Sequence, residues 1–353
     1  MSIHLRRNLN SVILFTAFTS IGAVLYAIAN HGFNLFPVLA QFLIGFFFGL
    51  ITSLAEVFVF EEWLKRKHFS VALFIRSSFY IIVSAVIILI VVSSKLGQEA
   101  NLFSFDTTEH EDFIDYATSI DFLELLGFSV VLSFFVNFVR QINRMLGQNV
   151  LFNYIRGKYQ LPLEEELIFM FLDLKSSTTI AEKLGHRKNH DFLNDFFHDM
   201  TDPILECKGR IYQYVGDEIV LTWQTKEGLK DLNCINCFFD IQNKIYGMKD
   251  IYLKKYGVYP EFKAGLHLGM VVTGEMGDIK KDIVYHGDTV NTSARIQAEC
   301  NRYNKKVLAS KDLADKLNLK GKYVTESMGN IRLRGKEKEL ELIAIEEIQS
   351  HNN

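Results

Sequence analysis

The chain is short of cysteine and has no large basic cluster, and each shortage closes off a class of protein. Only four cysteines occur in 353 residues. Cys234 and Cys237 stand in the spacing "CINC", but no second pair and no nearby histidine completes a zinc or redox motif. Within "LKDLNCINCFFDIQNKI" the spacing is helical, so the two thiols read as small apolar residues on one helix face in a reducing compartment. Net charge is −3, and without a basic patch nucleic acid is excluded as a partner. From Gly97 to Asp121 lysine and arginine vanish altogether, while Glu99, Asp106, Glu109, Glu111, Asp112, Asp115 and Asp121 accumulate.

What the chain has in quantity is apolar length. Hydrophobic residues make up 49%, concentrated before about Leu146, whereas charged and apolar residues mix from Gly157 onward as in a globular domain. Four stretches are long enough to cross the ~30 Å core of a bilayer. They run from about Ser11 to Ala29, Phe36 to Phe58, Val71 to Val92 and Phe122 to Val139. Arg6 and Arg7 precede the first, and Lys65, Arg66 and Lys67 lie between the second and third, which places those segments in the cytoplasm. The acidic stretch then faces outward, and an even number of spans returns the chain to the inside. The expected localisation is a multi-pass inner (plasma) membrane protein in contact with the lipid bilayer, its N-terminus and globular half cytoplasmic. The "AIA" at Ala27 to Ala29 also permits signal-peptide cleavage, which would leave three spans and the same cytoplasmic globular half.

The globular half carries the chemistry. "ELIFMFLDLKSSTTIAEKL" reads as an apolar strand ending in Asp173, then Ser176, Ser177, Thr178 and Thr179 opening a helix. Backbone N–H groups at such a helix start favour phosphate, and an aspartate at the strand end can hold a hard cation. A plain helix cap is the alternative. "GRIYQYVGDEIVLTW" places Asp217 and Glu218 between two runs of β-branched and aromatic residues, a hairpin with Asp217 at its tip. If this hairpin neighbours the strand ending at Asp173, two carboxylates meet over an apolar sheet, a site for two divalent ions and a polyphosphate. "FKAGLHLGMVVTGEMG" is a second hairpin, with His267 structural. "YHGDTVNTSARIQAEC" sets Asn291 and Arg295 four residues apart on one helix face, suited to a ribose and a phosphate. "NIRLRGKEKELELIAI" offers Arg334, Gly335 and Lys336 at a strand turn.

In order and spacing, "FLDLKSST", "YQYVGDEI", "GLHLGMVVTGEMG", "GDTVNTSARI" and "LRGK" resemble the class III nucleotidyl cyclase family over about Glu165 to Ile345, closest to its bacterial membrane-anchored members. The resemblance implies a multi-pass α-helical membrane domain plus an α+β ferredoxin-like catalytic domain. The expected divisions are 1–139 for the four-helix membrane domain, 140–163 for a coupling helix and linker, 164–348 for the catalytic domain and 349–353 for a tail. In "VNFVRQINRMLGQNVLFNYI", Ile142, Met145, Leu146 and Phe152 supply an apolar seam for that coupling helix, weakened by Gly147 and Asn149.

The resemblance also implies roles. Asp173 and Asp217 bind two Mg²⁺ or Mn²⁺ ions with the Leu174 carbonyl. Asn291 orients the ribose, Arg295 stabilises charge on the α-phosphate, Lys336 meets the terminal phosphates, and Lys263 stands where many members have a phosphate-side arginine. The helix-start reading, rather than the resemblance, adds Ser176, Ser177 and Thr178 as substrate-binding residues, while by resemblance Gln213 and Val284 occupy the base-selectivity positions. Adenylyl members usually carry Lys and Asp or Thr there, guanylyl members Glu and Cys, and this chain carries neither pair. Metal ligands and the Asn, Arg and Lys come from different subunits in the family, so a head-to-tail homodimer with two sites is expected.

The resulting expectation is an enzyme that converts ATP to 3',5'-cyclic AMP and pyrophosphate. Three alternatives stand beside it: a guanylate cyclase acting on GTP, a catalytically inactive nucleotide-sensing module under a membrane receptor, and a transporter or channel with a regulatory domain. No acidic or basic pair near mid-span supports the last.

Overall fold

The computed structural model describes residues 3–60, 63–64, 67–96, 118–147, 150–334 and 339–348. The chain divides into two compact units, Met1–Leu146 and Gly147–Asn353.

Among the described residues the first unit is helical. Its helices are α1 (Ile3–His31), α2 (Leu35–Ala55) continued by a π-helical turn at Glu56–Phe60, α3 (Phe69–Leu96) and α4 (Ile120–Leu146). All four contain segments long and apolar enough to cross a membrane: Ser11–Asn30, Pro37–Phe60, Ser70–Ile88 and Phe122–Val139. Much of the charge used to orient them lies outside the described residues, namely Lys65, Arg66 and the acidic run up to Asp115. So do the tail 349–353 and the side chains of Met145 and Leu146.

Between apolar helices in lipid, close packing and polar contacts replace the hydrophobic drive. On α2, Gly45 and Gly49 abut α1 so closely that a Cβ on Gly45 would meet the Thr19 carbonyl oxygen at 2.6 Å. Thr19 Oγ1 donates to the Gly45 carbonyl at 2.9 Å. Ser84 on α3 donates to Ser129 on α4 at 2.6 Å. Between α2 and α3, Arg76 Nε lies 3.1 Å from Glu56 Oε2, and Tyr80 donates to the same oxygen at 3.0 Å. All three of these residues are buried. This charge pair sits toward the ends of the apolar segments nearest the α2–α3 connection rather than at their middles, and no sequence motif marks it.

The second unit opens with α5 (Val150–Ile155) and is built on one eight-stranded sheet. Its core is β1 (Leu163–Leu174), β2 (Arg210–Val215), β3 (Glu218–Gln224) and β4 (Phe262–Met276), in spatial order β2-β3-β1-β4. Helices α6 (Ser177–Leu184), α7 (His186–Asp199) and α8 (Thr201–Glu206) link β1 to β2. The β3-to-β4 crossover carries α9 (Thr225–Leu229), α10 (Asn233–Gly247) and α11 (Lys249–Tyr256). This βαββαβ arrangement is ferredoxin-like. Then β5 (Asp282–His286) pairs with β4, and α12 (Asp288–Arg302) leads to β6 (Val307–Ser310), α13 (Lys311–Lys316), β7 (Tyr323–Ile331) and β8 (Leu340–Glu347).

From Leu167 to Leu172 strand β1 is buried on both faces, which is why this part of its sequence is a continuous apolar run. Ile168, Met170, Leu172 and Leu174 enter the main core with Phe192, Phe196, Phe238 and Ile241 from the helical layer. Leu167, Phe169 and Phe171 enter a smaller cluster on the opposite face with Val220 and Val271, against which Val290 and Ala294 of α12 pack. By this alternation Asp173 falls on the α12 face. Cys234 and Cys237 are fully buried in the main core. Burial pushes the Cys234 thiol up to about 12, as expected of inert structural cysteines.

Candidate active site

Asp173, next to last in β1, has a charged neighbour on either side. Antiparallel pairing sets it opposite Glu218 on β3 and opposite Lys263 on β4. Gly216, at φ +64°, allows the tight turn between β2 and β3 that carries Asp217 beside this row. The condition for two carboxylates to meet is therefore satisfied by the strand order. Lys263 is buried, and its Nζ lies 3.3 Å from Asp173 Oδ2. Desolvation and the nearby Asp217 raise the Asp173 pKa, and Lys263 opposes them. Desolvation, Asp173 and Asp217 push Glu218 up to about 7. One lysine does not offset three crowded carboxyl groups.

Such a surplus of negative charge on hard oxygen donors is what a divalent cation relieves. Among the described residues no three His, Cys, Asp or Glu side chains converge as a ready metal cage. Asp173 and Asp217 are the neighbouring acidic groups that could hold a hard divalent cation here, with remaining positions left to other oxygen donors.

Directly after β1, Ser176 adopts a left-handed conformation, φ 56° and ψ 31°, and makes no side-chain cap to α6. The plain-cap alternative is therefore not what the structure shows. The first backbone N–H groups of α6, at Ser177 and Thr178, have no partner within the helix by its geometry.

Helix α12 lies along β4 because two glycines make room. A Cβ on Gly269 would stand 2.5 Å from Thr289 Oγ1, and one on Gly265 would stand 2.1 Å from the Gln297 nitrogen. Thr289 and Gln297 are eight residues apart, about 12 Å along a helix, and the glycines are four apart, about 13 Å along a strand. The matched spacings run the helix antiparallel to the strand, with Thr289 Oγ1 donating to the Met270 carbonyl at 2.6 Å. The buried stripe is Thr289, Thr292, Ser293, Ile296, Gln297 and Cys300. Asn291 is exposed and Arg295 half-buried off that stripe. Among the described residues neither makes a side-chain hydrogen bond or ion pair, and Arg295 is not among the charges that perturb Asp173 or Glu218. One chain therefore brings the carboxylates together but does not bring Asn291 and Arg295 to them. Lys336 lies outside the described residues.

Gln213 on β2 and Val284 on β5 belong to strands far apart in the sheet order, yet their neighbours meet. The rings of Tyr212 and Tyr285 are 4.8 Å apart at 72°, over Phe169. His267 Nδ1 sits 2.7 Å from Ser310 Oγ, consistent with a structural role. The residue that the sequence reading passed over is Gln297, whose Nε2 donates to Asp173 Oδ2 at 2.9 Å. The available signal was a long polar side chain in an otherwise small or apolar helix stripe.

Residues 160–346 match the model of the adenylate and guanylate cyclase catalytic domain, so the chain belongs to that family. It is 35% identical over 223 residues to "Adenylate cyclase 2" of Rhizobium meliloti (strain 1021), covering 63% of this chain and 61% of the relative. It is 28% identical over 198 residues to "Receptor-type guanylate cyclase gcy-13" of Caenorhabditis elegans, covering 55% of this chain and 19% of that one. The chain thus spans about three fifths of the first relative's length. The fold is similar to that of a bacterial light-regulated adenylyl cyclase, with TM-score 0.55 and 19% identity over 65% of this chain and 68% of that one.

Proposed function

We propose that this chain is a membrane-anchored adenylate cyclase, converting ATP to 3',5'-cyclic AMP and pyrophosphate at the interface of a head-to-tail homodimer. The observation that carries this reading is the presence of two half-sites on one chain. Asp173, Asp217 and the start of α6 form a phosphate- and cation-seeking half, while α12 presents Asn291 and Arg295 with no partner among the described residues of their own chain. A second copy, turned head to tail, joins each half to its complement. Residues 1–139 form the membrane domain, 140–163 the coupling segment and 164–348 the catalytic domain, with the N-terminus and catalytic domain on the cytoplasmic side.

In the reaction the ribose 3'-oxygen bonds to the α-phosphorus as the bond to the bridging oxygen breaks, and pyrophosphate leaves. Two Mg²⁺ or Mn²⁺ held by Asp173, Asp217 and the Leu174 carbonyl would ease deprotonation of the 3'-hydroxyl and screen the phosphates. Backbone donors at Ser176, Ser177 and Thr178 hold phosphate oxygens, and Lys263 shares the anionic surroundings of Asp173. Asn291 orients the ribose, Arg295 stabilises charge gathering on the α-phosphate, and Lys336 holds the terminal phosphates. Gln213 and Val284 frame the purine.

The test is the purified full chain given ATP or GTP in Mg²⁺ or Mn²⁺, with cyclic nucleotide and pyrophosphate measured together. Mixing Asp173→Ala chains with Arg295→Ala chains, each inactive alone, should restore activity. Inactivity of mixtures that contain heterodimers overturns the head-to-tail arrangement.

A further inference from the structure

We propose that Gln297 is a positioning residue for Asp173, and that α12 thereby joins the two sites of the dimer. The helix that presents Asn291 and Arg295 to one site holds the metal-side carboxylate of the other. This inference rests on the head-to-tail reading above and adds a residue to it.

The contact spans 124 positions of sequence and is well shielded, since Gln297 is 6% exposed. Its amide and the Lys263 ammonium converge on the same atom, Asp173 Oδ2. Two donors on one oxygen fix the plane of the carboxylate and leave the second oxygen free of both. The amide orients Asp173 without adding charge. A lysine or arginine in place of Gln297 would put a second cation beside Lys263 and lower the acid's pull on a metal ion further, and a glutamate would add a further carboxylate to a crowd that already repels itself.

The backbone beneath this contact has no slack. Gly265 is in close contact with the Gln297 main chain, so the amide reaches Asp173 from a fixed point. Arg295 is two residues earlier, about 200° around the helix axis. One face of α12 is therefore pressed on its own sheet while another looks outward with Arg295. A shift of α12 that improves the fit of Arg295 to one substrate must also move the donor that orients Asp173 for the other.

The complementing pair makes this testable, because its single complete site draws Asp173 from the Arg295→Ala chain and Arg295 from the Asp173→Ala chain. Gln297→Leu, which keeps bulk and removes the donor, is placed in one chain or the other, with Gln297→Ala as a second variant. In the Arg295→Ala chain it should lower restored activity by about 10-fold or more, the usual size of an outer-shell effect on a metal ligand. In the Asp173→Ala chain it should leave the mixture at the parental level. Separately, Mn²⁺ alone is titrated into full-length Gln297→Leu homodimer and the free-ion EPR signal followed, with weakening by about 10-fold expected. Equal losses from both placements, a loss confined to the Asp173→Ala chain, or unchanged Mn²⁺ affinity overturns the inference. A parental mixture that stays inactive overturns the dimer reading instead, while the Mn²⁺ titration still decides whether Gln297 serves Asp173.

Discussion

Glu218 stands directly opposite Asp173 on neighbouring antiparallel strands, so two half-buried carboxyl groups share one cross-strand position. In the folded chain Glu218 keeps its proton up to about 7, against an ordinary value of 4.5. The folded state therefore binds more protons than the unfolded state between those values. This contribution to stability is complete below 4.5 and is lost as pH rises through about 7. In EDTA, the melting temperature of the full chain should fall between about pH 5 and about pH 8, and Glu218→Gln should flatten that fall. Identical profiles for the two proteins would remove Glu218 from the shared site.

Asp173→Ala and Asp217→Ala should each abolish turnover, a loss greater than the roughly 10–100-fold typical of changes around a metal's ligands. Each removes an oxygen donor, and Asp173→Ala also takes a carboxylate from buried Lys263, which Glu218 still faces, so both variants should elute as folded protein with the Asp173 variant melting lower. Glu218→Gln should cost less activity than either. Wild-type rates in Asp217→Ala would return that residue to the role of a solvated turn.

With Gln213 and Val284 at the proposed base-selectivity positions, moderate discrimination is expected. Gln213 can donate to adenine N1 or accept from guanine N1–H, and Val284 can do neither for the exocyclic group. A buried polar group left unpaired costs about 1–3 kcal/mol, which limits selectivity to a modest ratio. ATP should be preferred over GTP, and Gln213→Glu should move the preference toward GTP. Competition between the two nucleotides in one assay reads this directly, and faster wild-type turnover of GTP would reverse the assignment.

In the helical unit, the Glu56–Arg76 pair predicts strong non-additivity. Removing one partner strands a buried charge, at about 3–5 kcal/mol, whereas replacing both with apolar or neutral groups of similar size is far milder. Glu56→Gln and Arg76→Met should each lower the melting temperature in detergent, and the double variant should recover most of the loss. Additive losses would show that the pair is not coupled.

Legibility followed the range of the interaction. Asp173 and Asp217 stood out because local chemistry marks them: an apolar strand that stops at an acid, and a glycine-aspartate turn between β-formers. The four apolar helices and the ferredoxin-like order were likewise readable from run length and from motif order. Gln297 was not, because its meeting with Asp173 depends on where two glycines of β4 allow α12 to settle. The Tyr212–Tyr285 contact depends on how β5 attaches to β4, and the Glu56–Arg76 contact on how α2 turns at its π-helical end. In each case the sequence shows the parts but not the long-range pairing that joins them.

The two-sided burial of β1 also limits how this chain can change over time. Its odd positions carry Leu167, Phe169, Phe171 and then Asp173, and its even positions feed the main core. Gain or loss of a single residue between Leu167 and Leu172 would reverse the faces of the residues beyond it and turn the acid toward the main core. Lineages that keep the activity are thus free to vary the size and branching of these side chains. They cannot vary the length of the strand, and length differences among active descendants should collect in the connections instead.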